Sequence, residues 1–99
     1  MESISIQSYL AQLGNRKDPH TGAVSAPIYL STAYGHPSLG QSTGYDYTRT
    51  ANPTRDILQE GLAVLENGVQ GFATSSGMSA IQLAFSIFPA NSHFVASRD

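Results

Sequence analysis

One stretch, Thr74 to Ala80, constrains this chain more than any other. An apolar run from Val69 to Ala73 precedes it and an apolar segment from Ile81 to Phe88 follows it, which predicts a strand, a sharp turn and a helix. A turn at Gly77 would place unpaired backbone N–H groups and the positive end of a helix dipole beside serine hydroxyls. Such a point favours a phosphate, because Gly77 has no Cβ to keep an anion away from the backbone. The alternative interpretation is a serine-rich helix cap.

The second half of the chain alternates between helices and short apolar strands. A helix begins at 52–54, because Asn is a good N-cap and Pro is favoured at the first helical position, and Asn67-Gly68 ends it. Gly61 lies inside that helix, which indicates close packing. Phe94–Ala96 predicts a second strand. The alternation indicates an α/β protein with a largely parallel sheet, and two strands do not complete one, so we expect the opening portion of a larger protein.

The first half of the chain combines a short helix with a long irregular stretch. Residues 3–13 have the apolar spacing of an amphipathic helix, with Gly14 as its cap. Residues 15–51 are rich in Gly, Pro, Ser and Thr, with an extended piece at 28–30, yet they carry four of the five tyrosines. Because aromatic side chains favour burial, we expect an ordered arm that packs on a partner or on a missing part of the chain.

Composition excludes several classes of protein. The net charge is −2, which provides no basic face for nucleic acid, and the absence of cysteine excludes a disulfide framework or a thiol nucleophile. No apolar run approaches the roughly 20 residues that cross a bilayer, and no signal peptide is evident, so we expect a cytoplasmic protein without membrane contact. His20, His36 and His93 lack metal-ligand spacing and an acidic partner at motif distance. We therefore predict no metal site.

A second polar cluster lies upstream, between Gly44 and Thr54. Tyr47 and Arg49 are two residues apart, so in an extended segment both side chains would point to the same side. A guanidinium can bind phosphate through two parallel hydrogen bonds, and a tyrosine hydroxyl can add a third. The alternative interpretation is a surface arginine and a packed tyrosine.

The two clusters together resemble the Cys/Met-metabolism family of pyridoxal-phosphate enzymes. The pattern is Tyr-x-Arg-x-x-Asn-Pro-Thr, then Ser-Gly-Met-x-Ala-Ile after one helix and one strand, and residues 26–32 also resemble the family's N-terminal arm. The resemblance implies an aspartate-aminotransferase-like fold (PLP fold type I) in chains about four times this length. Residues 1–51 would then be an N-terminal helix and extended arm, and 52–99 the incomplete start of the PLP-binding α/β domain.

The resemblance also implies a site for pyridoxal 5'-phosphate. Backbone N–H groups of Gly77 and Met78 would donate to its phosphate, and Tyr47 and Arg49 would reach that phosphate from a neighbouring subunit. This implies a homo-oligomer, a dimer of dimers, with amino-acid substrates. No catalytic residue is expected among these 99 residues, since the Schiff-base lysine and the ring-stacking aromatic residue would lie beyond Asp99. Lys17 lies in a charged, solvated turn and is not expected to be that lysine.

Within the family, one residue favours a particular reaction. Asp46 directly before Tyr47 resembles cystathionine γ-synthases, although Thr50 departs from the Arg that some of them have. We therefore expect a PLP-dependent transferase that performs γ-replacement on an activated homoserine ester with cysteine or sulfide, in methionine and cysteine biosynthesis. The alternatives are a cystathionine β-lyase or methionine γ-lyase, or a non-catalytic truncated piece. The 99 residues alone are expected to be inactive.

Overall fold

The computed structural model describes residues 4–98, and its regular elements are three α-helices: α1 (Ile6–Ala11), α2 (Pro53–Leu65) and α3 (Gly77–Phe85). Helix α1 is shorter than the predicted 3–13, whose first residue lies outside the described range. The Ser5 side chain caps it by accepting a hydrogen bond from the Ser8 N–H, and Gln12 ends it. Helix α3 also ends three residues before the predicted Phe88.

Helix α2 begins and ends where the sequence predicts. The Asn52 Oδ1 accepts a hydrogen bond from the Thr54 N–H at 2.8 Å, and Pro53 occupies the first helical position. At the other end Asn67 has a φ of 53°, and the Gly68 N–H reaches back to the Ala63 carbonyl at 2.7 Å. That bond pattern is a Schellman motif, which satisfies carbonyls that the helix leaves unpaired.

Leu13 and Gly14, which follow the end of α1, pack against the middle of α2. Gly61 is buried there, and a Cβ added to it would lie only 2.8 Å from two methyl carbons of Leu13. The prediction that Gly61 permits close packing is therefore confirmed. Gly14, with a φ of +79°, continues the contact, since its own added Cβ would lie 3.1 Å from Ile57.

The predicted strands at 69–73 and 94–96 form no ladder with any part of residues 4–98. Pairing in this range is limited to two isolated antiparallel bridges, Ala33 with Tyr47 and Ser38 with Gln41. A strand requires a neighbour in its sheet, and successive strands of a parallel sheet need not be neighbours. The 69–73 segment instead packs on α2, where the Ala73 N–H donates a hydrogen bond to the Gln59 Oε1 at 3.0 Å.

Apolar surface remains uncovered in this part of the protein. Within residues 4–98 no apolar side chain is fully buried, and on α3 Ile81 is 49% and Phe85 is 55% exposed. Helices and strands of an α/β layer bury these faces against further elements. No helix among the described residues has the length and apolar character to cross a membrane.

Candidate phosphate-binding site

The turn that leads into α3, residues 74–78, is here called the α3 turn. The Ser76 Oγ accepts a hydrogen bond from the Ser79 N–H at 3.1 Å, and the Ser76 carbonyl accepts one from the Ala80 N–H at 3.1 Å. No acceptor within residues 4–98 binds the N–H groups of Gly77 or Met78. The serine cap and the phosphate site are therefore compatible, because capping satisfies the third and fourth N–H groups and leaves the first two available.

The space beside these two N–H groups is open. A Cβ added to Gly77 would meet no atom within 4 Å, and Met78 is 73% exposed. Two unpaired N–H groups at the positive end of a nine-residue helix, with room for an anion, fit a phosphate group. Of the four predicted cofactor ligands, Gly77 and Met78 are the first two residues of α3, and their role as ligands stays a prediction.

Tyr47 and Arg49, the other two predicted ligands, also contact each other. The Arg49 Nη2 donates to the Tyr47 hydroxyl at 3.2 Å, and the Arg49 Cζ lies 5.0 Å from the centre of the Tyr47 ring. The segment that carries them is not extended, because the N–H groups of Thr50 and Ala51 both bind the Tyr47 carbonyl at 3.0 Å, which closes a turn. We call residues 47–52 the arm turn. No carboxylate within the described range pairs with Arg49, so its charge is available for an anion.

Long-range hydrogen bonds hold the arm turn in place. The Thr48 N–H binds the Thr32 carbonyl at 2.8 Å, and the Tyr34 N–H binds the Asp46 carbonyl at 3.0 Å. These bonds flank the bridge at Tyr47 and make a short antiparallel pairing within the arm. The hydrogen bonds thus link residues 32–34 of the tyrosine-rich stretch to residues 46–48.

Part of the arm packs on α2 of the same chain. The Tyr45 hydroxyl donates to the Asp56 carboxylate at 2.8 Å, and its ring lies 5.6 Å from that of Tyr34. The pKa of Tyr45 is raised to about 12, mainly by the hydrogen bond to Asp56 and secondly by burial. The Tyr34 hydroxyl is buried and has no hydrogen-bond partner within residues 4–98. Sequence reasoning missed the contact with Asp56, because eleven residues separate the pair and no local pattern marks it.

One open cleft has lining residues from both the arm turn and the α3 turn. An open cleft of about 420 Å³ is lined by Arg49 together with Thr74 and Ser75, whereas Gly77 and Met78 do not line it. Arg55 lines the same cleft, and its Nη2 lies 3.4 Å from the Arg49 carbonyl oxygen. Sequence reasoning did not select Arg55, whose position in the first turn of a helix carries no phosphate-binding pattern.

The remaining charged residues follow the predictions only in part. The Lys17 side chain is exposed to solvent, as expected. Its Nζ forms a surface ion pair with the Glu60 Oε2 at 3.4 Å. Its neighbour Asp18 is only 7% exposed, contrary to the prediction of a solvated turn, because it accepts hydrogen bonds from the Thr21 hydroxyl and the His20 N–H. The Thr21 hydroxyl is the main cause that lowers the pKa of Asp18.

His36 has the acidic partner that the sequence did not indicate. Its Nε2 contacts the Asp46 Oδ1, and this contact, with the Ser42 hydroxyl, lowers the pKa of Asp46. The antiparallel pairing at Tyr34 brings these two residues together although they are ten positions apart in sequence, and the contact is an exposed surface one. Across the described ranges no group of three His, Asp or Glu residues could hold a metal ion.

Comparison with known proteins defines the class. The family model for Cys/Met metabolism PLP-dependent enzymes matches residues 7–99, and the chain belongs to that family. It is 58% identical over 98 residues to the cystathionine gamma-synthase of Haemophilus influenzae, covering 99% of this chain and 27% of that protein. It is 53% identical over 94 residues to the cystathionine gamma-synthase/O-acetylhomoserine (thiol)-lyase of Bacillus subtilis, covering 95% and 25%. The chain thus spans about a quarter of the length of these curated relatives.

Solved structures support the same class. Cystathionine gamma synthase from Xanthomonas oryzae, in complex with aminoacrylate and cysteine, aligns with a TM-score of 0.82 and 41% identity over 86% of this chain and 22% of that one. Cystathionine gamma-lyase from Lactobacillus plantarum, complexed with L-serine, aligns with a TM-score of 0.76 and 40% identity over 88% and 23%. The predicted aspartate-aminotransferase-like α/β fold is confirmed, with this chain as its N-terminal part, and the family's cofactor is pyridoxal 5'-phosphate, as predicted.

Proposed function

We propose that the protein containing this chain performs γ-replacement on an activated homoserine ester, with cysteine or sulfide as the incoming thiol. The observation that carries the proposal is the 58% identity to a cystathionine gamma-synthase over nearly the whole chain. The second relative supports both thiols, since its name joins cystathionine gamma-synthase with O-acetylhomoserine (thiol)-lyase. A cytoplasmic location and a dimer of dimers belong to the same proposal.

The residues of this chain would hold the cofactor rather than perform the chemistry. When bound, pyridoxal phosphate supplies the electron sink that stabilises negative charge on the amino-acid substrate. The N–H groups of Gly77 and Met78, which have no acceptor within residues 4–98, would donate to its phosphate. The guanidinium of Arg49 and the hydroxyl of Tyr47 would bind the same phosphate, from the arm of a neighbouring subunit. Fixing the phosphate at these groups orients the ring for the substrate.

A C–S lyase is the second candidate. The chain is 45% identical over 95 residues to a cystathionine beta-lyase of Lactococcus lactis, and 49% identical over 82 residues to a cystathionine gamma-lyase of Bacillus subtilis. These relatives match 96% and 83% of this chain, so the described residues would serve either reaction. The lower identities favour γ-replacement as the first proposal.

The test compares replacement with cleavage in the purified full-length protein loaded with pyridoxal phosphate. Three reactions are run in parallel: O-acetyl- or O-succinylhomoserine with cysteine, either ester with sulfide, and cystathionine alone. We expect cystathionine or homocysteine to form from an ester faster than cystathionine is cleaved. Faster cleavage of cystathionine would replace the proposal with the lyase, and no turnover in any reaction would favour a non-catalytic protein. The 99-residue chain is the matched control and should be inactive.

A further inference from the structure

The side chain of Asn52 joins three segments of the chain. It is only 7% exposed. Its Nδ2 donates to the Thr48 Oγ1 at 2.7 Å and to the Tyr29 carbonyl at 3.1 Å, while its Oδ1 accepts from the Thr54 N–H at 2.8 Å. The arm turn, the extended piece at 28–30 and the first turn of α2 therefore meet at one buried amide.

Capping a helix uses only part of this arrangement. An N-cap needs one acceptor oxygen, which Ser, Thr or Asp provides as well as Asn. Asn additionally has two N–H donors, and both are used at Asn52. One of them binds the side chain of Thr48, the residue that lies between Tyr47 and Arg49. The donors thus tie the phosphate-binding pair to α2.

A second contact makes the anchor rigid. The Thr54 Oγ1 accepts a hydrogen bond from the Tyr29 N–H at 2.9 Å, so both backbone polar groups of Tyr29 bind side chains at the start of α2. Helix α2 is the longest helix among residues 4–98, with 13 residues. A turn held on such an element loses less conformational entropy when its side chains bind a ligand.

We propose that Asn52 is a positioning residue for the phosphate-binding pair: through Thr48 it fixes the arm turn so that Arg49 and Tyr47 are preorganised for the cofactor phosphate. This inference rests on the proposed function, in which Arg49 and Tyr47 bind that phosphate. Asn52 itself does not touch the cofactor. Its effect should therefore depend on the phosphate group and on the pair formed by Arg49 and Tyr47.

The test measures the affinity of the full-length apoprotein for pyridoxal phosphate and, separately, for pyridoxal, which lacks the phosphate. Asn52→Asp retains the cap oxygen and removes both donors. We expect it to weaken pyridoxal phosphate binding about tenfold and to change pyridoxal binding less than about twofold. A similar loss for both ligands would indicate a purely structural role and overturn the inference. No loss for either ligand would overturn it too.

Because a buried carboxylate could prevent folding, Thr48 provides a milder pair of variants. Thr48→Val keeps the shape and removes the acceptor, so it should reproduce the phosphate-dependent loss, whereas Thr48→Ser keeps a hydroxyl and should restore affinity. In a background that lacks both ligands, Tyr47→Phe with Arg49→Ala, Thr48→Val should have no further effect, since it acts through that pair. An additional full-sized loss there, or an unaltered affinity in Thr48→Val itself, would contradict the inference.

The same measurements separate this inference from the proposed function. If Arg49→Ala leaves pyridoxal phosphate binding unchanged, the assignment of the phosphate ligands fails first. If Arg49→Ala weakens binding and the Thr48 and Asn52 variants do not, the ligand assignment stands and the positioning role is rejected.

Discussion

The arm turn and the α3 turn are built in opposite ways. In the arm turn, the Thr48 N–H binds Thr32 and the Asn52 amide binds Tyr29, so the bonds join residues 16 and 23 positions apart in sequence. In the α3 turn, the bonds of Ser76 join it to Thr74, Ser79 and Ala80, which lie at most four positions away. The charged half of the site therefore depends on tertiary structure, whereas the backbone half forms wherever the local sequence caps a helix.

The two turns also differ in what a substitution would disturb. Around the arm turn, Asn52 is buried and every polar group of its side chain is hydrogen-bonded, so a change there breaks bonds. Around Gly77 there is open space, so a change there fills room that a ligand would use. Substitutions in the arm turn should therefore change ligand binding by removing hydrogen bonds or charge. Substitutions at Gly77 should change it by filling the space that the ligand would occupy.

The largest expected effect concerns whether the two turns serve the same subunit. Two inactive variants of the full-length protein are mixed: Tyr47→Phe with Arg49→Ala, and one lacking the Schiff-base lysine. If the arm of one subunit completes the site of its neighbour, a mixed dimer has one intact site. Random mixing would restore up to about a quarter of the wild-type activity. If confirmed subunit exchange restores nothing, the arm serves its own subunit, an arrangement for which the shared cleft of Arg49 and Ser75 leaves room.

Arg49→Ala removes the unpaired guanidinium of the arm turn. Losing a charge-assisted bidentate contact should weaken pyridoxal phosphate binding by about 2–4 kcal/mol, or roughly 30- to 1,000-fold. The measurement is a titration of the full-length apoprotein. Arg16→Ala is the matched control, because Arg16 is exposed and does not line the cleft. Arg55→Ala should give a smaller loss than Arg49→Ala, and equal cofactor retention in these two variants would reject the assignment of Arg49.

Gly77→Ala tests the α3 turn through volume alone. The new methyl group would meet no protein atom within 4 Å, so the apoprotein should be as stable as the wild type or slightly more stable. A bound phosphate would meet that methyl group, and crowding of about 1–3 kcal/mol would weaken pyridoxal phosphate binding roughly 5- to 150-fold. Unchanged affinity in a folded variant would show that no ligand approaches this backbone.

Gly71→Ala is the same substitution at a glycine that packs against protein. Its Cβ would lie 2.5 Å from the Gln59 carbonyl oxygen, a backbone atom that cannot rotate away. We expect a loss of about 1–3 kcal/mol in the free energy of unfolding, measured by urea denaturation. A variant as stable as Gly77→Ala would mean that α2 and the 69–73 segment can separate without cost.

The smallest expected change in the free energy of unfolding concerns the hydrogen bond between Tyr45 of the arm and Asp56 of α2. Tyr45→Phe removes the bond to Asp56 and should cost about 1 kcal/mol near pH 8. The pKa of Tyr45 is raised to about 12, above its usual value of about 10, so the bond stabilises the fold fully below pH 10 and is lost as the pH rises through 12. The difference in unfolding free energy between wild type and Tyr45→Phe should therefore shrink across that range. A difference that stays constant would contradict the assignment.

Several elements follow from sequence because their bonds are local. The Asn52 cap, Pro53 and the Schellman end at Asn67 involve residues at most five positions apart, and each residue type suits its own position. The α3 turn is of the same kind, which is why the helix start at Gly77 could be predicted without a structure. The roles of Gly77, Met78, Tyr47 and Arg49 as phosphate ligands stay a prediction, and the turn that carries Tyr47 and Arg49 was not predicted.

By itself, then, the sequence determined both ends of α2, the α3 turn and the family of this protein. Tertiary structure alone decided that Asn52 binds Thr48 and Tyr29, that Tyr45 meets Asp56, and that His36 meets Asp46. The physical reason is that hydrogen bonds within a helical turn follow from the geometry of neighbouring residues, whereas bonds between distant segments exist only after the chain between them has reversed. The side chains that hold the charged half of the site belong to the second kind.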